Sequence, residues 1–313
     1  MSYHDYDLEK IIAHIKSTQK KKFILDTDTD AEIDDQFAIT YAMLLEDIDL
    51  LALTAAPYSY EGSDPPEVCM RESYRELVHV RDLVDPDGKM NIPCYLGSEN
   101  YLDSITSPVI SEAAENIVRI VNEADDIVYI GVIGCPTNVA SALLLDPSIV
   151  TKAVIVLLGG HSFNYDYCGD FNFCQDTNAV RVIFESEVPV IFLPAVGCTD
   201  SICMSNSEVY FYLKDKAGKI GNYLCDLFDH EECPPENSDG CQSRLRSIYD
   251  LGTVAFLHDP GKFVYQKVPA RTVTSTCHWK TLNDAKNIIY VEAAHRNPII
   301  SEFLNTLRKA DLK

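Results

Sequence analysis

The stretch KFILDTDTDAEIDDQFAITYAMLL, residues 22–45, decides the fold. It opens on an apolar run, passes through acids, and ends in apolar residues at helical spacing. Five aspartates and one glutamate fall within the ten residues 26–35. Residues 22–27 read as a buried parallel strand and residues 34–45 as the helix that follows it. Carboxylates this dense repel one another unless a cation joins them or some stay protonated. With no His or Cys adjacent, the donors are all oxygen, which favours a hard ion, Ca²⁺ or Mg²⁺. The alternative is that Asp30, Glu32 and Asp34 only cap the helix, since Asp is favoured at helix N-termini. The spacing is not that of an EF-hand, which needs a glycine turn and a terminal Glu.

The same strand–helix alternation runs on. Strands are expected over 50–55, 127–133, 153–158 and 188–193, and helices over 65–83, 111–123, 137–145 and 177–186. This order predicts an α/β fold: an open, mostly parallel sheet with helices on both faces. The simplest organisation is a single domain, residues 1–313, with a helical C-terminal part from about 205. The stretch HEECPPENSDG, residues 230–240, reads as an exposed loop. In such sheets ligands sit at the carboxyl ends of the strands. That rule brings Asp26-Thr27-Asp28, Ile133–Asn138, and Gly159-Gly160-His161 with the polar aromatic stretch 162–175 to one rim.

The chain has 313 residues, 46% hydrophobic and 24% charged, with a formal net charge of −22. An acidic surface repels phosphate backbones and attracts cations, so nucleic acid is not an expected partner. Eleven cysteines occur without C-x-x-C pairs, and read as reduced thiols rather than a zinc site. The first residues, MSYHDYDLEK, are polar, so no signal peptide is expected. No apolar stretch reaches the roughly 18 residues of a membrane span. The expected location is cytoplasmic.

Several motifs, taken in order, resemble the nucleoside hydrolases. That family's strand ends in D-x-D, turns, and opens a helix with D-D. Here Asp26-Thr27-Asp28 is followed by residues 29–33 and then Asp34-Asp35. The turn is about two residues longer than usual and lacks glycine, a form that resembles a branch of the family. A gap-free alignment would place Asp28-Thr29-Asp30 in the D-x-D slot instead. IGCPTNVA (133–140) is similar to the family's G-P-L-T-N-x-A, and LLGGH (157–161) to its L-M-G-G. Asn164, Asp170 and Asn172 keep the spacing of N-x5-E-F-N. YDLGTVAFLHDP (249–260) is similar to H-D-x-x-A-V-A-x-x-x-x-P. The resemblance covers roughly residues 23–260.

The resemblance implies Ca²⁺-dependent hydrolysis of the N-glycosidic bond of a small-molecule ribonucleoside in nucleoside salvage. It implies Asp28, Asp35, Asp250 and the carbonyl of Ile133 as metal ligands, with Asp28 also the base for the attacking water. Asp34 would accept from a ribose hydroxyl, and Asn164, Asp170 and Asn172 would grip the 3′ and 5′ side. The expected assembly is a homodimer or homotetramer. Three departures stand out. Tyr249 occupies the place of a His that protonates the leaving base, which leaves Tyr249 or His161 as candidate acids. Ala56-Pro57-Tyr58-Ser59-Tyr60 replaces an Asn after the second strand. Asp170 replaces a Glu and is one methylene shorter. Tyr58, Tyr60, Phe163, Tyr165 and Tyr167 fall on rim loops and are candidates for stacking on a base, or for packing the loops together. Stacking favours purine nucleosides.

Two other classes compete: a weakly catalytic relative that binds nucleoside or metal, and a Mg²⁺ phosphohydrolase. The second lacks a phosphate-gripping Lys, Arg or Gly-rich loop near these motifs.

Overall fold

The computed structural model describes residues 8–60, 64–230 and 245–310. Strands β1 (Lys21–Thr27), β2 (Ile48–Ala55), β3 (Cys94–Tyr95), β4 (Val128–Val132), β5 (Ala153–Leu158) and β6 (Val190–Leu193) lie in one eight-stranded sheet. Its order is β3-β2-β1-β4-β5-β6, completed by Asn287–Ala294 and then Phe263–Pro269. Every pairing is parallel except the last, where Phe263–Pro269 runs antiparallel at the edge. The expected mostly parallel α/β sheet is therefore present, and the expected strands and helices appear within two residues of their bounds.

Side chains alternate across the strands and feed two cores. Phe23 and Leu25 of β1, with Val154 and Val156 of β5, pack on one face against helices Asp34–Leu44, Leu251–His258 and Arg296–Ala310. Ile24, Ile130 and Ile155 pack on the other against helices Glu112–Glu123, Thr137–Leu145 and Thr177–Glu185. Burial on both faces is why the central strands read as unbroken apolar runs.

The C-terminal part, expected to be helical, holds strands as well as helices. Between helices Leu251–His258 and Arg296–Ala310 it carries two strands of the main sheet, Phe263–Pro269 and Asn287–Ala294, alongside helices Asn206–Leu213 and Gly218–His230. Phe263–Pro269 escapes a sequence reading because, as a largely exposed edge strand, it has neither an unbroken apolar run nor strict alternation. The loop expected over 230–240 lies, past its first residue, outside the described residues. No helix among the described residues is long and apolar enough to cross a membrane.

Successive strands are added toward one edge from β1 to β3 and toward the other from β4 to β6, so the switch point lies between β1 and β4. Ligands in open sheets bind outside the strand ends at such a point. Asp26 is the last β1 residue paired to β4, opposite Val132. Asp28 and Ile133 follow immediately on the two strands. Gly134 allows their close approach: a Cβ there would lie 2.8 Å from the Asp28 nitrogen and 3.0 Å from Asp28 Oδ1.

Candidate active site

Helices Asp34–Leu44 and Leu251–His258 are buried nearly all round and aim their N-termini at the switch point. Asp34 and Asp35 open the first, and Asp250 precedes the second as its N-cap residue. Neither helix carries a side-chain cap bond at its own N-cap residue. The first helix has Ile33 at its N-cap with no side-chain bond, and Asp250 makes none either. Capping alone therefore does not account for the acids. Their carboxylates do profit from the partial positive charge of the helix ends.

Asp34, Asp35 and Asp250 bring one carboxylate oxygen each within 4.8 Å of one another, and all three are buried. Thr27 Oγ1 donates to Asp35, and the Asp250 amide donates to Asp34 Oδ2 at 3.3 Å. Asp28 lines the same cavity, and its Oδ2 is buried with no hydrogen-bond partner among the described residues. Burial, reinforced by the neighbouring carboxylates, holds the Asp28, Asp35 and Asp250 carboxyls well above the usual range. Asp30 faces elsewhere: its Oδ2 accepts from Tyr58 at 3.3 Å, and its backbone is left-handed at φ 98°. Of the two alignments of the D-x-D slot, the cavity takes Asp28.

The opposite wall carries Ile133, Leu158, Asp170, Phe171 and Asn172, with Ala195, Val196, Glu32 and Tyr249 around the rest. Asn172 Nδ2 donates to the Ile133 carbonyl at 2.7 Å, while its Oδ1 is buried without a partner among the described residues. One oxygen of Asp170 is engaged, since Oδ1 accepts from the Phe173 amide at 2.9 Å and caps helix Phe171–Gln175. Burial also raises the Asp170 carboxyl. Burial pushes the Tyr249 hydroxyl up, with Glu32 and Asp34 adding to the shift, and Ser247 hydrogen-bonds it.

Two expected residues stand outside the cavity. Asn164 is exposed on its loop, where its amide donates to Ser162 Oγ at 3.3 Å. His161 is held by its backbone, donating to Cys168 O and accepting from Trp279 Nε1, both at 3.1 Å. Its ring packs against Tyr165 and Tyr167. Most of the rim aromatics also pack the loops. Phe163 stacks on Tyr290 at 4.6 Å, and Tyr60 hydrogen-bonds the Ala31 carbonyl and packs on Phe171 at 4.9 Å. The aromatic walls are Phe171 and Tyr249. Phe171, Ala195 and Val196 were missed, although the strand-end rule applied to β6 points straight to the last two.

Below the cavity, Asp26 is fully buried. Thr54 Oγ1 and Asn138 Nδ2 donate to its Oδ1 at 2.6 and 2.8 Å. Burial outweighs these bonds and raises its pKa from 3.8 to about 7. A raised acid contributes stability below its unfolded pKa and loses it as pH rises through the folded value. The cation-free protein should therefore lose stability between about pH 4 and 7, by about 4 kcal/mol from Asp26 alone, with Asp28, Asp35 and Asp250 adding the same sign. Urea midpoints across that range in chelator check this. A rising midpoint would contradict it.

The donor set is all oxygen, partly orphaned, and too negative to stay charged alone, so it fits a hard divalent cation. The chain thus presents a carboxylate cage at a sheet switch point, beside one polar and one aromatic wall. The model of the family described as inosine-uridine preferring nucleoside hydrolase matches residues 23–297. Probable uridine nucleosidase 1 of Oryza sativa subsp. japonica is 27% identical over 274 residues, covering 82% of this chain and 83% of that protein. Two solved structures share the fold. The plant nucleoside hydrolase PpNRh1 has a TM-score of 0.73 at 18% identity, over 92% of this chain and 99% of that one. A purine-preferring ribonucleoside hydrolase from Gardnerella vaginalis has a TM-score of 0.72 at 20% identity, over 94% of this chain and 100% of that one. The family match runs from the acidic first strand into the last helix, and the chain belongs to the inosine-uridine preferring nucleoside hydrolases, a family of N-ribohydrolases.

Proposed function

We propose that the chain hydrolyses the N-glycosidic bond of ribonucleosides with a Ca²⁺ held by Asp28, Asp35, Asp250 and the Ile133 carbonyl. The observation that carries this reading is the buried cluster of Asp34, Asp35 and Asp250, with the orphaned Asp28 Oδ2 lining the same cavity. A Ca²⁺ bound there would supply a Lewis acid to activate the attacking water and to anchor the sugar. Asp28 takes the proton from that water. Asp34 accepts from a ribose hydroxyl. Asn172 Oδ1 and the Asp170 carboxylate hold the far side of the sugar. The surrounding carboxylates stabilise the positive charge that develops on the ribose ring as the bond breaks.

The base lies between Phe171 and Tyr249 in this reading. Tyr249 keeps its proton at neutral pH, because its pKa is raised, and acts as a wall and a weak donor. A purine can leave after protonation at N7, whereas a pyrimidine has no comparable ring nitrogen and needs a better-placed acid. Purine nucleosides are therefore the favoured substrates, although the rice relative is named for uridine and the bacterial structure for purines. Steady-state kcat/KM for adenosine or guanosine should exceed that for uridine by at least about tenfold, or ~1.4 kcal/mol. Tyr249→Phe should change the purine values by less than about threefold, under ~1 kcal/mol. Uridine as the best substrate would overturn the assignment of base, and a severe Tyr249→Phe defect would make the hydroxyl the acid.

A further inference from the structure

Three thiols meet beside the cavity. Cys168 and Cys277 are buried and Cys174 is exposed. The Cys168 amide donates to the Cys277 carbonyl at 2.8 Å, and Tyr167 forms a β-bridge with His278. Onto this short ladder Cys174 sets its sulfur, 3.2 Å from Tyr167 Oη and in hydrogen-bond contact with the Cys277 thiol. Gly169 leaves the room for it, since a Cβ there would collide with Cys174 Sγ and Tyr167 Oη.

The backbone at Cys277 is also unusual. Cys277 ends the turn between strands Arg271–Val273 and Trp279–Thr281, and its φ is 52°. Glycine fills such a left-handed turn position without strain. Here the position is filled by a cysteine.

We propose that Cys174 and Cys277 are a modification site, oxidised by a low-molecular-weight disulfide to an intramolecular bridge that slows nucleoside hydrolysis. The Cys174 sulfur attacks one sulfur of the small disulfide, R–S–S–R, and the first thiol, RSH, leaves with a proton. The Cys277 sulfur gives up its proton and attacks the Cys174 sulfur of the mixed disulfide. The bridge forms and a second RSH leaves, so two electrons pass from the protein thiols to the small disulfide. Burial pushes the Cys168 thiol up to about 12 and Cys277 in the same direction, so the exposed Cys174 begins the exchange.

The consequence for the cavity follows from the short helix Phe171–Gln175. It carries Cys174 together with Phe171 and Asn172, which line the cavity, and Asp170 caps it. Bond formation draws the sulfurs from contact to about 2 Å, more than an ångström of movement, borne by a one-turn helix. Misplacing a substrate-holding group by about 1 Å can cost up to roughly a hundredfold in rate.

The test uses the full reduced chain, treated with glutathione disulfide, quenched by alkylation and mapped by peptide mass spectrometry. The expected product is a Cys174–Cys277 linked peptide, with altered backbone hydrogen exchange over residues 170–175. Turnover of the best nucleoside should fall about tenfold or more and return with dithiothreitol. Cys174→Ser, untreated, should retain wild-type turnover and ignore the oxidant. A linkage through Cys168, or a stable glutathione adduct at Cys174, would overturn the pairing. A mapped bridge that leaves exchange and turnover unchanged would overturn its effect. The effect on turnover rests on the nucleoside hydrolase reading, whereas the mapped bridge and the exchange at 170–175 stand or fall without it.

Discussion

Asp35→Asn is expected to lower kcat/KM for every nucleoside by at least about a thousandfold, ~4 kcal/mol, while raising the melting temperature in chelator. The two effects share one cause. Asp35 is buried among Asp28, Asp34 and Asp250, and its carboxyl is raised by burial and by the charges of Asp28 and Asp34. Without a cation this is an unfavourable place for a charge, and the amide relieves it. The amide oxygen can still accept from Thr27 Oγ1, so the local structure has no reason to collapse. With a cation the balance inverts, because the wild type gains stability by mass action, about 2.7 kcal/mol at a hundredfold excess over Kd, and the variant gains less. Thermal melts with and without Ca²⁺, beside steady-state kinetics, make the comparison. A variant that melts lower in chelator, or turns over normally, would remove Asp35 from the cage.

Asn138→Ala is expected to cost about 3–5 kcal/mol of stability, with no rescue by added cation. Asn138 is fully buried and uses all its hydrogen-bonding capacity. It donates to Asp26 Oδ1 and to the Ala55 carbonyl at 2.8 and 2.9 Å, and accepts from the Ser98 amide and hydroxyl at 2.8 and 2.9 Å. Its loss leaves a buried acid with one partner, Thr54, and strands an amide on the loop after β3. The loss should be largest above pH 7, where Asp26 is ionised, because its pKa lies at about 7. Urea unfolding at pH 5 and pH 8 gives the comparison. A loss below about 1 kcal/mol would mean that water replaces the amide.

The contrast between these two residues explains what the sequence could convey. The acids were legible because a charge beside a buried strand breaks an expected pattern, and residues 26–35 break it six times. Their division of labour was less so. Asp34 and Asp35 are neighbours in the chain, and only the fold brings Asp250 to them. Asn138 sits in a motif at a strand end and reads as part of the rim. In the structure it is a brace beneath the rim, because its partners Asp26 and Ser98 are 112 and 40 residues away.

The sheet follows the same logic. β1, β4 and β5 are covered on both faces, so their apolar runs announce them. β3 has two residues and carries no pattern. Asn287–Ala294 contains the run Ile288–Val291, which reads as a strand in isolation. Nothing in a linear reading says that it joins β6, since that pairing links residues about a hundred apart. Tyr58 and Tyr60 were candidates for stacking on a base. They instead brace the lengthened turn through Asp30 and the Ala31 carbonyl, contacts that depend on how the loop after β2 folds back.

We propose that the carboxylate cage holds a hard divalent cation on which nucleoside hydrolysis depends. The most direct measurement is release of ribose from a nucleoside by the purified chain, dialysed against chelator and then titrated with Ca²⁺. Release should vanish in chelator and return at one Ca²⁺ per chain. Undiminished release in chelator, or recovery with zinc and not with Ca²⁺, would contradict it.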